Sequence, residues 1–101
     1  MARSPRFDAS DPLLDAPVAE RLDLHGYGAA DAGGLVAGCL ARWARRGPGT
    51  VVHIITGKGR GSAGRPVLRG LVARLLKGEL RSLVAEWALD EDDGGYKVRL
   101  R

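Results

Sequence analysis

Hydrophobic and polar positions change period several times along this chain, and each change marks an element. Between Arg21 and His25 polar and apolar residues alternate, the period of a short strand. Gly26 and Gly28 then turn the chain. From about Ala29 to Arg46, Ala32, Leu35, Val36, Cys39, Leu40 and Trp43 recur at helical spacing, with Arg42, Arg45 and Arg46 outside that stripe. Gly47-Pro48 should end this helix. Gly33, Gly34 and Gly38 lie inside it, each costing about 1 kcal/mol relative to Ala. Close packing of the helix on a sheet would account for them. Val51 to Thr56 is apolar on both faces, as befits a central strand covered by helices.

Beyond a glycine-rich segment, Pro66 stands well at the first position of a second helix. Its apolar stripe is Leu68, Leu71, Val72, Leu75 and Leu76; Arg69, Arg74 and Lys77 fall largely outside it, and Lys77-Gly78 closes it. Ser82 to Leu89 reads as a third strand, Asp90 to Gly95 as an acidic turn and Tyr96 to Leu100 as a fourth strand. The pattern predicts a two-layer α/β (α+β) sandwich, β-α-β-α-β-β, with a four-stranded mixed sheet and an antiparallel final hairpin. Trp43, Trp87 and His53 are expected in the core. No internal repeat or heptad pattern is present.

Residues 1–20 carry Ser, Asp and three prolines without periodicity, which predicts an extended or disordered N-terminal arm that docks Leu13, Leu14 and Val18. The domain is expected over 21–101. A chain of 101 residues holds one domain. Sixteen Lys+Arg against 12 Asp+Glu gives a net charge of +4, carried mostly by Arg. Arg forks match phosphate geometry, so the balance is compatible with a polyanionic partner. The lone Cys39 cannot form an internal disulfide, and no Cys/His cluster has zinc-ligand spacing. The acidic turn Glu91-Asp92-Asp93 lacks the spacing of a calcium loop. No signal peptide and no membrane span of about 20 apolar residues is visible, so a cytoplasmic protein without a membrane partner is expected.

The densest chemistry lies in Thr56-Gly57-Lys58-Gly59-Arg60-Gly61-Ser62-Ala63-Gly64-Arg65, between the second strand and the second helix. Bare glycine N–H groups, Ser62 and the cations Lys58, Arg60 and Arg65 at a helix entrance suit an anion, above all a phosphate. Gly59 to Gly64 also fits G-x-G-x-x-G. A dinucleotide site is disfavoured because the loop follows the second strand and no strand-end carboxylate follows at the usual remove. The Walker pattern fails because Gly59, not Ser or Thr, follows Gly57-Lys58.

Asp23 and His25, two residues apart at a strand end, can share a face, where the carboxylate would fix the imidazole tautomer for proton transfer. Backbone capping by the same pair is the plainer alternative. Parallel pairing of the first two strands would bring His25-Gly26 beside Thr56-Gly57-Lys58, at the carboxyl ends where open α/β sheets bind ligands. Tyr27 is then a base-stacking candidate and Arg42, Arg45 and Arg46 a candidate extension of the footprint.

Leu22-Asp23-Leu24-His25-Gly26, the ensuing helix, Val52-His53-Ile54-Ile55-Thr56-Gly57-Lys58-Gly59, and then Ser62 and Gly64-Arg65-Pro66-Val67-Leu68 together resemble the Smr (small MutS-related) domain. The resemblance covers about residues 21–101. It implies a β-α-β-α-β-β fold similar to the C-terminal domain of a bacterial translation initiation factor. It also implies binding of DNA or RNA, a connection with DNA repair or ribosomes, and in several members a nicking endonuclease that hydrolyses phosphodiester bonds with or without a divalent metal such as Mg2+ or Mn2+. Carried over by motif, Asp23 and His25 would be catalytic, while Thr56, Gly57, Lys58 and Gly59 complete the active edge. Arg60, Ser62 and Arg65 join them from the loop chemistry as phosphate ligands. No dedicated metal ligands are assigned. Two departures stand out: Thr56 occupies a place where many members carry a second histidine, and Gly94-Gly95 runs directly into Tyr96-Lys97 without a further glycine.

Overall fold

A computed structural model describes residues 12–57, 67–90 and 94–101. Four strands, β1 (Glu20–Asp23), β2 (Val51–Ile55), β3 (Val84–Asp90) and β4 (Gly95–Leu100), and two helices, α1 (Ala29–Ala44) and α2 (Val67–Lys77), form a small α+β domain. The sheet order is β1-β2-β4-β3. β1 runs parallel to β2, while β4 is antiparallel to both β2 and β3, so the sheet is mixed.

The alternation of side chains decides where the helices go. Leu22, Val52, Ile54, Tyr96 and Val98 share one sheet face by register, and they join the helix residues Val36, Leu40, Val72 and Leu76 in a single core. Both helices therefore cover the same face. Trp43 and Trp87 are partly buried against that core, and the Trp87 ring meets Tyr96 edge-on at 5.5 Å between centroids.

β2 is buried almost throughout, yet the helices cover only one of its faces. The other carries Arg21, Val51, His53, Lys97 and Arg99 and is shielded from the N-terminal side. A 3-10 turn over Leu13–Asp15 packs on β3 and β4, Ala16 is buried, Lys97 Nζ donates to Leu14 O at 2.6 Å, and Ala19 N–H donates to Val51 O at 2.7 Å. Residues 12–19 thus lie on the sheet. On this face Arg99 Nε donates to Glu86 Oε1 at 2.9 Å, and His53 Nε2 lies 3.9 Å from Asp90 Oδ2.

Several boundaries move relative to the sequence reading. β1 begins at Glu20 and ends at Asp23, so His25 lies in the following turn. Residues 81–83 form a 3-10 turn before β3 starts at Val84. The helical glycines are not packing devices: a Cβ built on Gly33 or Gly34 meets nothing within 4 Å, and on Gly38 only the end of Arg42, at 3.7 Å. Close approach occurs instead at Gly95, where a Cβ would come within 2.1 Å of Ile54 O. Pro66 and the acidic turn 91–93 lie outside the described residues.

Candidate functional site

The parallel register sets Asp23 beside Ile55 and continues one step further, with Leu24 N–H donating to Ile55 O at 2.8 Å. β1 and β2 therefore end together, and the turns that follow them share one edge of the sheet. Beyond β1, buried Leu24 anchors the chain while His25, Gly26 and Tyr27 stand exposed. Gly26 takes φ +89°, a left-handed conformation that reverses the chain toward α1. Tyr27 N–H donates to Leu24 O at 3.1 Å and closes the turn.

Within this turn the Asp23 carboxylate accepts the backbone N–H of His25 on Oδ1 at 3.0 Å. That is an Asx-type turn, the backbone-capping use of an aspartate. The same oxygen lies 3.8 Å from His25 Nδ1, with the two side chains 60% and 80% exposed. One carboxylate thus holds the backbone of His25 and stands near its ring, and a modest closure would turn the second contact into a hydrogen bond.

Beyond β2 the chemistry differs. The carbonyl of Gly94 accepts Thr56 N–H at 3.0 Å, Gly57 N–H at 3.0 Å and the Thr56 hydroxyl at 3.0 Å. Thr56 is buried and Gly57 sits at φ +89°. These donors are already engaged inside the protein. Thr56 and Gly57 act here as a clasp that fixes the exit of β2 to the start of β4. Lys58, Gly59, Arg60, Ser62 and Arg65 lie outside the described residues.

One further residue at this edge was passed over in the sequence as merely lying outside the apolar stripe. Arg69 stands in the first turn of α2, where its backbone carbonyl accepts the Tyr96 hydroxyl at 3.2 Å. Its Nε is buried and has no acceptor among the described residues. A cation in a first helical turn also faces the positive end of the helix dipole. Both facts favour an anion nearby. An arginine just after a phosphate-type loop was the available signal.

Other candidates fall elsewhere. Arg42 lies 3.4 Å from Glu20, and the Arg46 guanidinium stacks 5.5 Å from the Trp43 ring centroid; both sit toward the end of α1, at the opposite edge of the sheet. His53 is buried under the N-terminal segment. Glu20 Oε1 accepts from Trp43 Nε1 at 2.7 Å and from Cys39 Sγ at 3.6 Å. The Trp43 bond in particular holds the Glu20 carboxyl below the usual value, whereas burial pushes the Cys39 thiol up to about 12. Cys39 is therefore a protonated core residue, not a nucleophile. Among the described residues no group of three or more His, Cys, Asp or Glu side chains could hold a metal ion. Asp23 and His25 are the two candidate ligands at this edge among the described residues.

The fold and this edge define a small α+β domain with an Asp-His pair where two parallel strands end. The family model of the Smr domain matches residues 22–98, and the chain belongs to that family, which is associated with nucleic-acid binding and nicking. Comparisons with curated proteins and with solved structures returned no significant match. Among the described residues no helix is long and apolar enough to cross a membrane.

Proposed function

We propose that this chain binds DNA or RNA at the edge formed by the ends of β1 and β2 and nicks the phosphodiester backbone there. The observation that carries the reading is the Asp23–His25 pair, held in one turn beside the exit of β2. In the reaction, the oxygen of water forms a bond to phosphorus while a bridging P–O bond breaks. His25 Nε2 moves a proton, and Asp23 keeps Nδ1 oriented. Lys58, Arg60, Ser62 and Arg65, with the Gly59 amide, hold the phosphate and stabilise the charge that builds up on its oxygens. Arg69 joins them from α2. The clasp of Thr56 and Gly57 on Gly94 keeps the two halves in register. A divalent metal such as Mg2+ or Mn2+ would bind through Asp23 and add positive charge beside the phosphate.

The β-α-β-α-β-β order, likeness to an initiation-factor domain, division into an arm over 1–20 and a domain over 21–101, and cytoplasmic work on repair intermediates or ribosomes all belong to this proposal. The openness of the edge supports a second reading. With His25 and Asp23 largely exposed, little among the described residues excludes water, which suits a non-catalytic nucleic-acid- or ribosome-binding module.

Nicking of supercoiled plasmid and of structured RNA, with and without a chelator, separates the two. Wild type should nick, His25→Ala should lose most of the rate, and Lys58→Ala and Arg69→Gln should weaken binding. Equal activity in wild type, His25→Ala and Lys58→Ala sinks the enzyme. Salt-sensitive binding without cleavage leaves the module.

A further inference from the structure

At the opposite end of the strands the surface has a different character. The last turn of α2, the turn over residues 81–83, the start of β3 and the end of β4 border an open, shallow groove of about 470 Å³. That is within the about 300–1,000 Å³ range of small-ligand sites. Its floor is apolar, with Leu76, Val84 and Trp87; its rim is cationic, with Lys77, Arg81 and Arg101. The Lys77 ammonium lies 5.8 Å from the centroid of the Trp87 ring, and Arg101 is fixed by its N–H donating to Leu83 O at 3.0 Å. The one acid in the lining, Glu86, has its carboxylate on Arg99. The rim therefore keeps a positive balance.

Two occupants suit such a place: an anionic peptide added to edge strand β3, or a nucleotide with its phosphate on the rim and its base on the floor. The ladder decides between them. Register shifts between Val84 and Glu86, within the groove itself, and an irregular edge is a poor template for another strand. An aromatic and aliphatic floor below several cations is instead how single strands are held.

We propose that this groove is a second contact site for a nucleic-acid strand, taking one nucleotide and its phosphate. It rests on the nucleic-acid reading of the β1–β2 edge and extends it. Five residues along β2 and three strand spacings across the sheet put the groove about 20 Å from Asp23 and His25. At about 3.4 Å per stacked nucleotide, a strand engaged at both places spans six or more nucleotides. The groove would thus set how far the scissile bond lies from a held end.

The test is to follow the backbone amide signals and the two indole N–H signals by NMR while adding an oligothymidylate of about 15 nucleotides. The Trp87 signal should move, and that of Trp43, bonded to Glu20, should stay. The variant Lys77→Gln/Arg81→Gln/Arg101→Gln, altered only at exposed side chains, should bind the oligonucleotide more weakly. Its log K against log salt should be shallower by about 0.7, the contribution of the one phosphate that the groove neutralises on a single strand. Shifts confined to the His25–Gly57 edge would overturn the groove and leave the proposed function standing. No shift anywhere would overturn both. A polyglutamate that moves Trp87 as strongly as the oligonucleotide would overturn the assignment to nucleic acid.

Discussion

Glu20 is the residue whose removal tests most directly how the sheet is joined to α1. It points to the helix side of β1, and its Oε1 receives the indole N–H of Trp43, the thiol of Cys39 and one nitrogen of Arg42. Glu20→Ala takes the acceptor from a part-buried indole. A hydrogen bond to a charged group contributes about 1.5–3 kcal/mol, and the exposed Arg42 contact about 0–1 kcal/mol. With the carboxylate about a third exposed, at 32%, the loss should be about 2 kcal/mol. For a domain of this size that is a fall of roughly 8–16 °C in Tm. The pH dependence carries a sign. Because the Trp43 bond holds the folded-state value below the ordinary 4.5, the stabilisation is complete above 4.5 and lost as pH falls through the folded value. Glu20→Gln keeps a carbonyl acceptor but has no charge to lose, so its deficit against wild type should shrink from neutral pH to about pH 3. Urea titrations followed by far-UV circular dichroism measure all three chains. A Glu20→Ala chain within about 0.5 kcal/mol of wild type at neutral pH would refute the reasoning, as would a Glu20→Gln deficit that ignores pH.

Two glycines predict opposite outcomes. Gly95→Ala would drive a Cβ to 2.1 Å from Ile54 O and 2.9 Å from Ile55 Cα, both backbone, and should cost about 3 kcal/mol or more. Gly34→Ala meets nothing within 4 Å and should gain about 0.4–1 kcal/mol. Thermal melts that move both the same way would contradict the packing described. Cys39, buried and with its thiol pushed up to about 12, should resist alkylation at pH 8 and react once unfolded in urea. A native rate within roughly tenfold of the unfolded one would refute its placement.

What the sequence disclosed follows the range of the forces involved. Apolar periodicity located both helices because Val36, Leu40, Val72 and Leu76 report burial through local spacing alone. Glu20 was hidden: an acid next to Arg21 reads as part of a solvated arm, and its partners lie 19 to 23 positions away. Ser82–Leu83 reads as strand because Leu83 continues an alternation, although its N–H donates back to Leu80 O. Docking of the arm through Leu13, Leu14 and Val18 is legible as apolar positions, but which sheet face it covers is not, since that depends on the face the helices leave open.

The candidate site divides in the same way. Asp23 and His25 could be paired from their spacing, but the reason for the pairing is an Asx-type turn rather than two positions on one strand face. That difference bears on mechanism. Side chains on a strand are fixed by the sheet, whereas His25 is tethered through the carboxylate that also faces its ring. Asp23→Asn should therefore disturb catalysis less through the turn, since an amide oxygen still accepts the His25 N–H, than through the missing charge beside Nδ1. Asp23→Ala removes both. If Asp23→Asn nicks at nearly the wild-type rate while Asp23→Ala does not, Asp23 shapes the turn and His25 works without a charged partner. If the two variants fall together, the charge beside Nδ1 is what the reaction needs.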